Sequence, residues 1–251
     1  MKFYLEDGKS YIDSNEGIDI SIVIGSGHPK VKAWYLDDPK IEPVKAEGFI
    51  GSVEKGAPVN FRNIFFNPHA HGTHTEGLGH ITKKVYSVNK IKHPLLYKAK
   101  LVSIAPVQVE IENGTDAIIT TDQIRNLGLI EVEALVIRTL PNSDTKLQID
   151  YSNTNPCYFE AGGAEILREA GVKHLLVDLP SVDKENDNGL LQFHHSFWAV
   201  PESPDMERTI TEFVFIPTEV EDGNYLLNLQ VAPFENDASP SRPILYKMFT
   251  T

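Results

Sequence analysis

The chain has 251 residues and a mass of 28.0 kDa, which suffices for one large domain or two small ones. Its formal net charge of −12 argues against nucleic acid or an anionic membrane as a partner, because both select a basic surface. The single cysteine, Cys157, excludes an intramolecular disulfide and suits a reducing compartment.

The N-terminal segment and the interior composition indicate a soluble, cytoplasmic protein that acts on a small molecule. Residues 1–7 carry acids where a signal peptide has its apolar stretch, and no run approaches about 18 apolar residues. No interior segment has the composition of a linker. We therefore expect one domain over residues 1–251.

The first predicted strand is Ile18–Ile24, in which apolar and polar residues alternate before a break at residues 25–27. The loop that follows leads to Trp34. A second apolar strand, Phe61–Phe66, runs directly into a segment rich in histidine, so that segment is expected at the end of a strand.

The segment Asn67–His80 contains four of the nine histidines, one carboxylate and three glycines. Imidazole nitrogen and carboxylate oxygen are the usual ligands of zinc, manganese and iron, and a catalytic site leaves one position open. The alternation of Gly72, His74 and Glu76 predicts a short strand, after which two glycines let the chain return His80 to the same face. A surface loop without a ligand and a structural metal site without catalysis are the alternatives.

Further along the chain, Lys100–Ile111 is rich in Val and Ile and predicts another strand. A short helix is predicted from Thr121, with Thr120 or Thr121 as its cap and an end near Gly128. The mostly apolar run Glu133–Thr139 predicts a strand that is covered on both faces.

A crossover unit is predicted next. Phe159–Ala170 has a helical apolar stripe with Gly171 as its stop, and His174–Leu179 follows as a buried strand. A strand, a helix and a strand in succession imply that part of the sheet is parallel.

The C-terminal third carries two more polar features beside apolar runs. His194 and His195 are adjacent and point opposite ways if they lie on a strand, which leaves at most one as a metal ligand. Glu212 is predicted to open an apolar strand, where a buried carboxylate needs a partner such as a metal. Tyr225–Val231 predicts a final strand.

The motif Gly72–Glu76, with His80 four residues after its acid, resembles the signature of the metal-dependent cyclase and kynurenine formamidase family, His-x-Gly-Thr-His-x-Asp-x-Pro-x-His. Three positions differ. The first histidine of the signature falls on Ala70, the aspartate on Glu76 and the proline on Leu78.

The resemblance extends from about Asp19 to Arg242. Asp19-Ile20-Ser21 is similar to the family's opening strand, after which an aromatic, here Trp34 or Tyr35, lines the substrate pocket. Pro180–Asp183 followed by the two histidines resembles the family's turn and ligand pair, and Glu212 its metal-bridging glutamate. Ala238–Pro243 resembles its closing Ser-Pro-x-Arg turn.

This resemblance implies a single α/β domain with a mixed, partly barrel-like β-sheet and flanking helices. It implies metal-dependent hydrolysis of a carbon–nitrogen amide bond, as in an arylformamidase, with a divalent metal, zinc or else manganese, activating water. It also implies a homo-oligomer, a dimer or a tetramer. A cyclic amide or lactone hydrolase of the same chemistry and a non-catalytic metal-binding or ligand-binding module are the alternatives.

The residues implied for the site have three roles. His80 is the proton shuttle, and Trp34 and His195 are expected to contact substrate. The metal ligands are expected among His69, His71, His74, Glu76, His194 and Glu212. His69 and His71 compete to replace the ligand missing at Ala70, and His69 is favoured because one bulged residue would bring it to the ligand face. One tightly bound ion is expected at least as readily as a pair.

Overall fold

The computed structural model describes residues 1–6, 8–27, 30–112 and 114–251. The α-helices of these ranges are α1 (Thr121–Arg125), α2 (Gly162–Glu169) and α3 (Gln192–Phe197). Single turns of 3₁₀-helix lie at Val53–Lys55, Leu78–Ile81, Val88–Lys90 and Asp144–Leu147. The strands are β1 (Lys2–Tyr4), β2 (Ser10–Asp13), β3 (Ile18–Asp19), β4 (Lys40–Pro43), β5 (Lys45–Ala46), β6 (Phe49–Ile50), β7 (Arg62–Phe65), β8 (His74–Glu76), β9 (Tyr97–Ile104), β10 (Val107–Ile111), β11 (Gly114–Ile119), β12 (Ala134–Thr139), β13 (Tyr158–Phe159), β14 (His174–Val177), β15 (Thr209–Glu212), β16 (Gly223–Asn228), β17 (Ala238–Pro240), β18 (Ile244–Lys247) and β19 (Phe249–Thr250).

A curled, nine-stranded sheet organises the molecule, with the strand order β17-β8-β15-β14-β12-β9-β16-β18-β3. Its centre, β15-β14-β12-β9, is parallel, and the strands on both sides pair antiparallel. Smaller sheets are formed by β1-β2-β19, β10-β11-β13, β4-β7 and β5-β6. The predicted class, a mixed α/β fold with a partly barrel-like sheet and few helices, is confirmed.

The sheet separates two apolar layers because residues of its central strands alternate between its faces. Leu135 and Ile137 of β12 pack in one layer, which includes the buried faces of α2 and α3. Ala134 and Val136 pack in the other layer with residues of β9 and β16. Since both faces are covered, every residue of β12 is buried, as its apolar run predicts.

The predicted crossover unit is present. β12 and β14 pair in parallel, and α2 lies between them in sequence, ending shortly before Gly171 at φ +82°. The predicted cap of α1 is also present, because Thr120 and Gln123 form a reciprocal capping box.

Two of the predicted strands described so far need correction, and a third forms away from the main sheet. The run Ile18–Ile24 forms only the two-residue strand β3 and a single bridge from Ser21 to Val214. Lys100–Ile111 contains two strands, β9 and β10, instead of one. Phe61–Phe66 forms β7, the predicted strand, which pairs with β4 outside the main sheet and is exposed along its length.

None of the helices within the described ranges has the length and the apolar character needed to cross a membrane.

Candidate metal centre

The pairing of β8 with β15 brings His74 and Glu212 together. The two residues are direct partners in this antiparallel pair, and directly opposite residues project from the same face. Nε2 of His74 lies 3.4 Å from Oε2 of Glu212, and both side chains are buried. Glu212 is the last residue of β15, so the prediction that it opens a strand is wrong.

Glu76 lies two residues after His74 on β8, fully buried, and its carboxylate faces three imidazoles. Its Oε1 accepts a hydrogen bond from Nε2 of His194 at 3.0 Å. Its Oε2 lies 3.1 Å from Nδ1 of His69 and 3.7 Å from Nε2 of His80. Glu76 is therefore the residue that the other candidates surround.

His194 comes from α3 and not from the predicted strand, so the strand argument about its neighbour His195 does not apply. Asp183 holds it from behind, because its Oδ2 contacts Nδ1 of His194 at 2.5 Å. The same carboxylate accepts the backbone N–H groups of Phe193 and His194 at the start of α3. The contact between Asp183 and Nδ1 fixes the orientation of the His194 ring, so that Nε2 faces Glu76.

His69 reaches the cluster through a turn and not through a bulged strand. The side chain of Asn67 accepts the backbone N–H of His69 at 2.9 Å, as in an Asx turn. The turn ends at Gly72, which has φ +112° and whose missing Cβ would lie 2.9 Å from the carbonyl oxygen of Ile22. A side chain at position 72 would therefore disturb the placement of His69.

His80 returns to the ligand face as the sequence predicts. A 3₁₀ turn after β8 carries it back over Glu76, and its ring stacks on His69 with centroids 4.3 Å apart. The turn needs Gly79, since a Cβ there would lie 2.2 Å from the carbonyl oxygen of Tyr86. Nδ1 of His80 lies 3.2 Å from Oδ2 of Asp237.

The cluster has nitrogen and oxygen atoms that could bind a cation, and some of them have no hydrogen-bond partner. Overlapping sets of its nitrogen and oxygen atoms lie within 4.8 Å of one another: His69, His74 and Glu76; Glu76, His80 and His194; and His69, His80 and Asp237. Among the described residues, four buried side-chain atoms have no hydrogen-bond partner, and three belong to this cluster: His74 Nε2, Glu76 Oε2 and Glu212 Oε1. Buried polar atoms rarely lack partners, which indicates a missing ligand.

Two of the histidines hold protons tightly in the metal-free protein. Burial lowers the pKa of His69, but Asp237 and Glu76 outweigh it and raise the pKa to about 10. Burial also lowers the pKa of His194, but Asp183 and Glu76 outweigh it and raise that pKa to about 10. A divalent cation would replace these protons.

The pair at the β8–β15 contact behaves in the opposite way. Burial and then the positive charge of His69 lower the pKa of His74 to about 3. Burial and the negative charge of Glu76 raise the pKa of Glu212 well above its usual range. His74 donates Nδ1–H to the carbonyl oxygen of Gly72, so its Nε2 carries the lone pair that a metal requires.

A cavity of about 310 Å³ opens onto this cluster, and the indole of Trp34 forms part of its wall. Trp34 has φ 64° and donates Nε1–H to the carbonyl oxygen of His69 at 3.1 Å. The cavity is lined by Trp34, Leu36, Asn67, His69, His80, Ser181, Leu191, His194 and Glu212. His195 is not among the lining residues in the described part of the chain, so the structure does not bring it to this cavity.

His71 faces away from the cluster. Its Nε2 donates to the carbonyl oxygen of Asp37 at 2.8 Å, and its Nδ1 accepts the backbone N–H of Asn67 at 2.9 Å. Both nitrogens are thus engaged by backbone groups. His71 connects the turn that carries His69 to the loop that carries Trp34, and none of the clusters of possible ligand atoms among the described residues contains it.

Two acids of this region were missed by the sequence reasoning. Asp183 lies in the turn that resembles the family pattern, and Asp237 immediately precedes the segment Ala238–Pro243, which resembles the family's closing turn. An acid beside a recognised motif is the signal that could have found them. The roles of all the site residues stay predictions.

Solved structures with the same fold are known. A potential metal-dependent hydrolase with cyclase activity aligns with a TM-score of 0.66 at 16% identity, over 92% of this chain and 97% of that chain. An isatin hydrolase bound to the product analogue thioisatinate aligns at 0.64 and 13%, over 98% and 94%. Isatin hydrolase A from Labrenzia aggregata, bound to benzyl benzoate, aligns at 0.63 and 14%, over 94% of each chain. The chain therefore has a cyclase-like fold.

The sequence model of the Cyclase family, described as "Putative cyclase", matches residues 18–184, roughly two thirds of the chain. The protein belongs to this family. The match includes the histidine-rich segment and ends before His194 and Glu212. No curated protein sequence matches the chain. The extent of the domain over residues 1–251 stays a prediction.

Proposed function

We propose that the protein is a metal-dependent hydrolase that cleaves a carbon–nitrogen amide bond. The observation that carries this proposal is the pair of buried atoms without partners, Nε2 of His74 and Oε1 of Glu212, within a cluster of imidazoles and carboxylates. Leaving such atoms unsatisfied is costly, and a cation would satisfy both.

The donor set fits a divalent metal of the zinc class. It consists of nitrogen and oxygen atoms only, which suits zinc and also manganese. The residues that would hold the metal are His69, His74, Glu76, His194 and Glu212. When bound, such a metal polarises a carbonyl group and brings the pKa of a coordinated water to about 7. We propose one ion at least as readily as two.

His80 is proposed to move the proton. Asp237 accepts from its Nδ1, and a carboxylate cannot donate, so Nδ1 carries the hydrogen and Nε2 carries the lone pair of the neutral ring. This Nε2 lies 3.7 Å from Glu76, on the side of the ligand atoms. It can take a proton from the attacking water and return it to the leaving nitrogen.

The cavity supports a small, mostly apolar substrate. Its volume of about 310 Å³ is near the lower end for ligand pockets, and Trp34, Leu36 and Leu191 provide apolar walls. An aryl formamide fits this description and is the first candidate, as expected from the family resemblance. A cyclic amide is the second candidate, favoured by the fold shared with two isatin hydrolases.

A hydrolysis panel tests the proposal. Formyl anilides, isatin-like lactams and lactones are assayed with protein stripped of metal by a chelator and then reloaded with Zn²⁺ or Mn²⁺. We expect hydrolysis of at least one amide that disappears with the chelator and returns with the metal. Metal binding without turnover of any amide or lactone would instead favour a non-catalytic binding module. Turnover that is unaffected by the chelator would refute the proposed chemistry.

We further propose that the chain forms a homo-oligomer, a dimer or a tetramer, as the family resemblance implies. Light scattering coupled to gel filtration tests this, because an assembly has a mass that is a multiple of 28.0 kDa. A single species at the monomer mass would contradict it.

A further inference from the structure

Asp237 contacts two histidines of the cluster that do not lie on a strand of the main sheet, His69 and His80. A single oxygen of its carboxylate, Oδ2, lies 2.9 Å from Nε2 of His69 and 3.2 Å from Nδ1 of His80. The carboxylate is largely shielded from solvent, with 18% of the side chain exposed. One acid thus holds two rings that come from different turns of the chain.

The two rings are aligned by this shared contact. His69 and His80 stack with an interplanar angle of 28°, and the nitrogen of each ring that is not bound to Asp237 faces Oε2 of Glu76. A carboxylate is only an acceptor, so each ring presents an N–H to Asp237. The lone pair of each neutral ring is therefore on the side of Glu76, where a metal and a reacting water would lie.

We propose that Asp237 is a positioning residue that makes His69 a metal ligand through Nδ1 and His80 a proton acceptor through Nε2. This rests on the proposed function. The family signature has its first ligand at position 70, where this chain has alanine, and His69 comes from a turn that a sheet does not hold. A ligand on a turn needs such a contact to keep its ring in place.

The contacts of Asp237 separate this role from a merely structural one. Its backbone carbonyl accepts the N–H of Gly77, and the neighbouring Asn236 accepts the N–H of Val88, so the loop is held by its main chain. The hydrogen bonds of its side chain, among the described residues, go to His69 and His80. Removing the carboxylate should therefore leave the loop in place and release the two rings.

The test compares Asp237→Ala and Asp237→Asn with Glu235→Gln. Glu235 is a nearby exposed acid that pairs with Lys90 and Asn89 and does not contact the cluster. In the metal-free wild type we expect the imidazole N–H protons at His69 Nε2 and His80 Nδ1 to exchange slowly with solvent, as measured by NMR. Asp237→Ala should lose both, Asp237→Asn should keep them weakened because the amide oxygen still accepts, and the control should match wild type.

Metal affinity and kinetics provide the second readout. We expect Zn²⁺ affinity to fall about 10 to 100-fold in Asp237→Ala, less in Asp237→Asn and not at all in the control. On the reloaded enzyme, kcat should fall while KM changes little, since the carboxylate does not line the cavity.

Two outcomes would overturn the proposal, and they are distinguishable from failure of the proposed function. If Asp237→Ala binds Zn²⁺ as tightly as wild type, or if its imidazole N–H protons are unchanged, Asp237 does not position these rings. The proposed function would survive that result. A wild-type protein that binds neither Zn²⁺ nor Mn²⁺ would refute the proposed function itself and the ligand half of this proposal with it.

Discussion

Replacing Glu212 by glutamine separates a metal ligand from a buried structural acid. Burial and the charge of Glu76 raise the pKa of Glu212 well above its usual range, which favours the neutral carboxyl group in the metal-free protein. Glutamine is neutral and of the same size. Glu212→Gln should therefore leave the metal-free fold nearly as stable as wild type, within about 1 kcal/mol.

The metal-bound protein should behave differently, because only the carboxylate can supply a negative charge. His74 Nε2 lies 3.4 Å from the Glu212 carboxylate, so an ion held by both side chains would lie within about 4 Å of that charge. Two unit charges about 4 Å apart contribute about 4 kcal/mol at an effective dielectric constant of about 20. Deprotonating Glu212 offsets part of this. A loss of affinity of about 10²-fold or more remains, equivalent to about 2.7 kcal/mol.

The assay is competition with a chromophoric chelator for Zn²⁺, together with urea unfolding of the metal-free protein. Glu185→Gln is the control, because that carboxylate accepts from Tyr35 and from the backbone of Asn153 and Asn155 outside the cluster. A folded Glu212→Gln protein with wild-type affinity would show that Glu212 is not a ligand.

Four further predictions follow from the cluster. His80→Asn should keep its metal, measured by elemental analysis, while hydrolysis falls about 10²-fold or more; loss of metal would place His80 among the ligands. His69→Ala should weaken metal binding more than His71→Ala. His71→Ala should mainly raise KM, because His71 connects the loop that carries Trp34 to the turn that carries His69. Full metal occupancy in His69→Ala would contradict the role of His69 as a ligand. His194→Ala should lose metal and His195→Ala should keep it, and equal losses would remove the distinction. The pKa values of His69 and His194 are raised to about 10, so metal uptake near pH 7 should release protons, and metal affinity should rise from about pH 6 to about pH 9. Calorimetry in buffers of different ionisation enthalpy measures the proton release, and its absence would refute this prediction.

Local patterns predicted the parts of the site that are close in sequence. His74 and Glu76 share a face because strand side chains alternate, and the glycines after them return His80 to that face. The parallel centre of the sheet followed from the crossover unit around α2. These features depend on residues within a few positions or on a standard connection, which a sequence displays directly.

Other parts depended on contacts that no local pattern contains. His194 lies on a helix because Asp183, eleven residues earlier, accepts the first backbone N–H groups of α3. Asp237 reaches His69 across 168 residues. The apolar residues of β7 predicted a strand, and one forms, yet Ile64 is 59% exposed because β7 pairs with β4 away from the main sheet. Tertiary placement overrides the apolar pattern in that case.

For His69, the sequence predicts the correct residue as the replacement ligand but the wrong backbone conformation. The missing ligand at Ala70 required a replacement, and His69 was favoured through a bulge. The structure uses the Asn67 side chain and Gly72 to form a turn instead. An asparagine followed by proline two residues before a candidate ligand is a turn signal, and it could have replaced the bulge argument.

The central claim is that the orphaned atoms of His74 and Glu212 face a metal ion. Anomalous difference maps from crystals grown with Zn²⁺ or Mn²⁺, collected on both sides of the absorption edge, test it most directly. We predict a peak within about 2.0 to 2.3 Å of Nε2 of His74, with Glu76 and Glu212 oxygens and Nδ1 of His69 also at bonding distance. A peak elsewhere, or a map without a peak at this cluster from a protein that stays folded, would contradict the account.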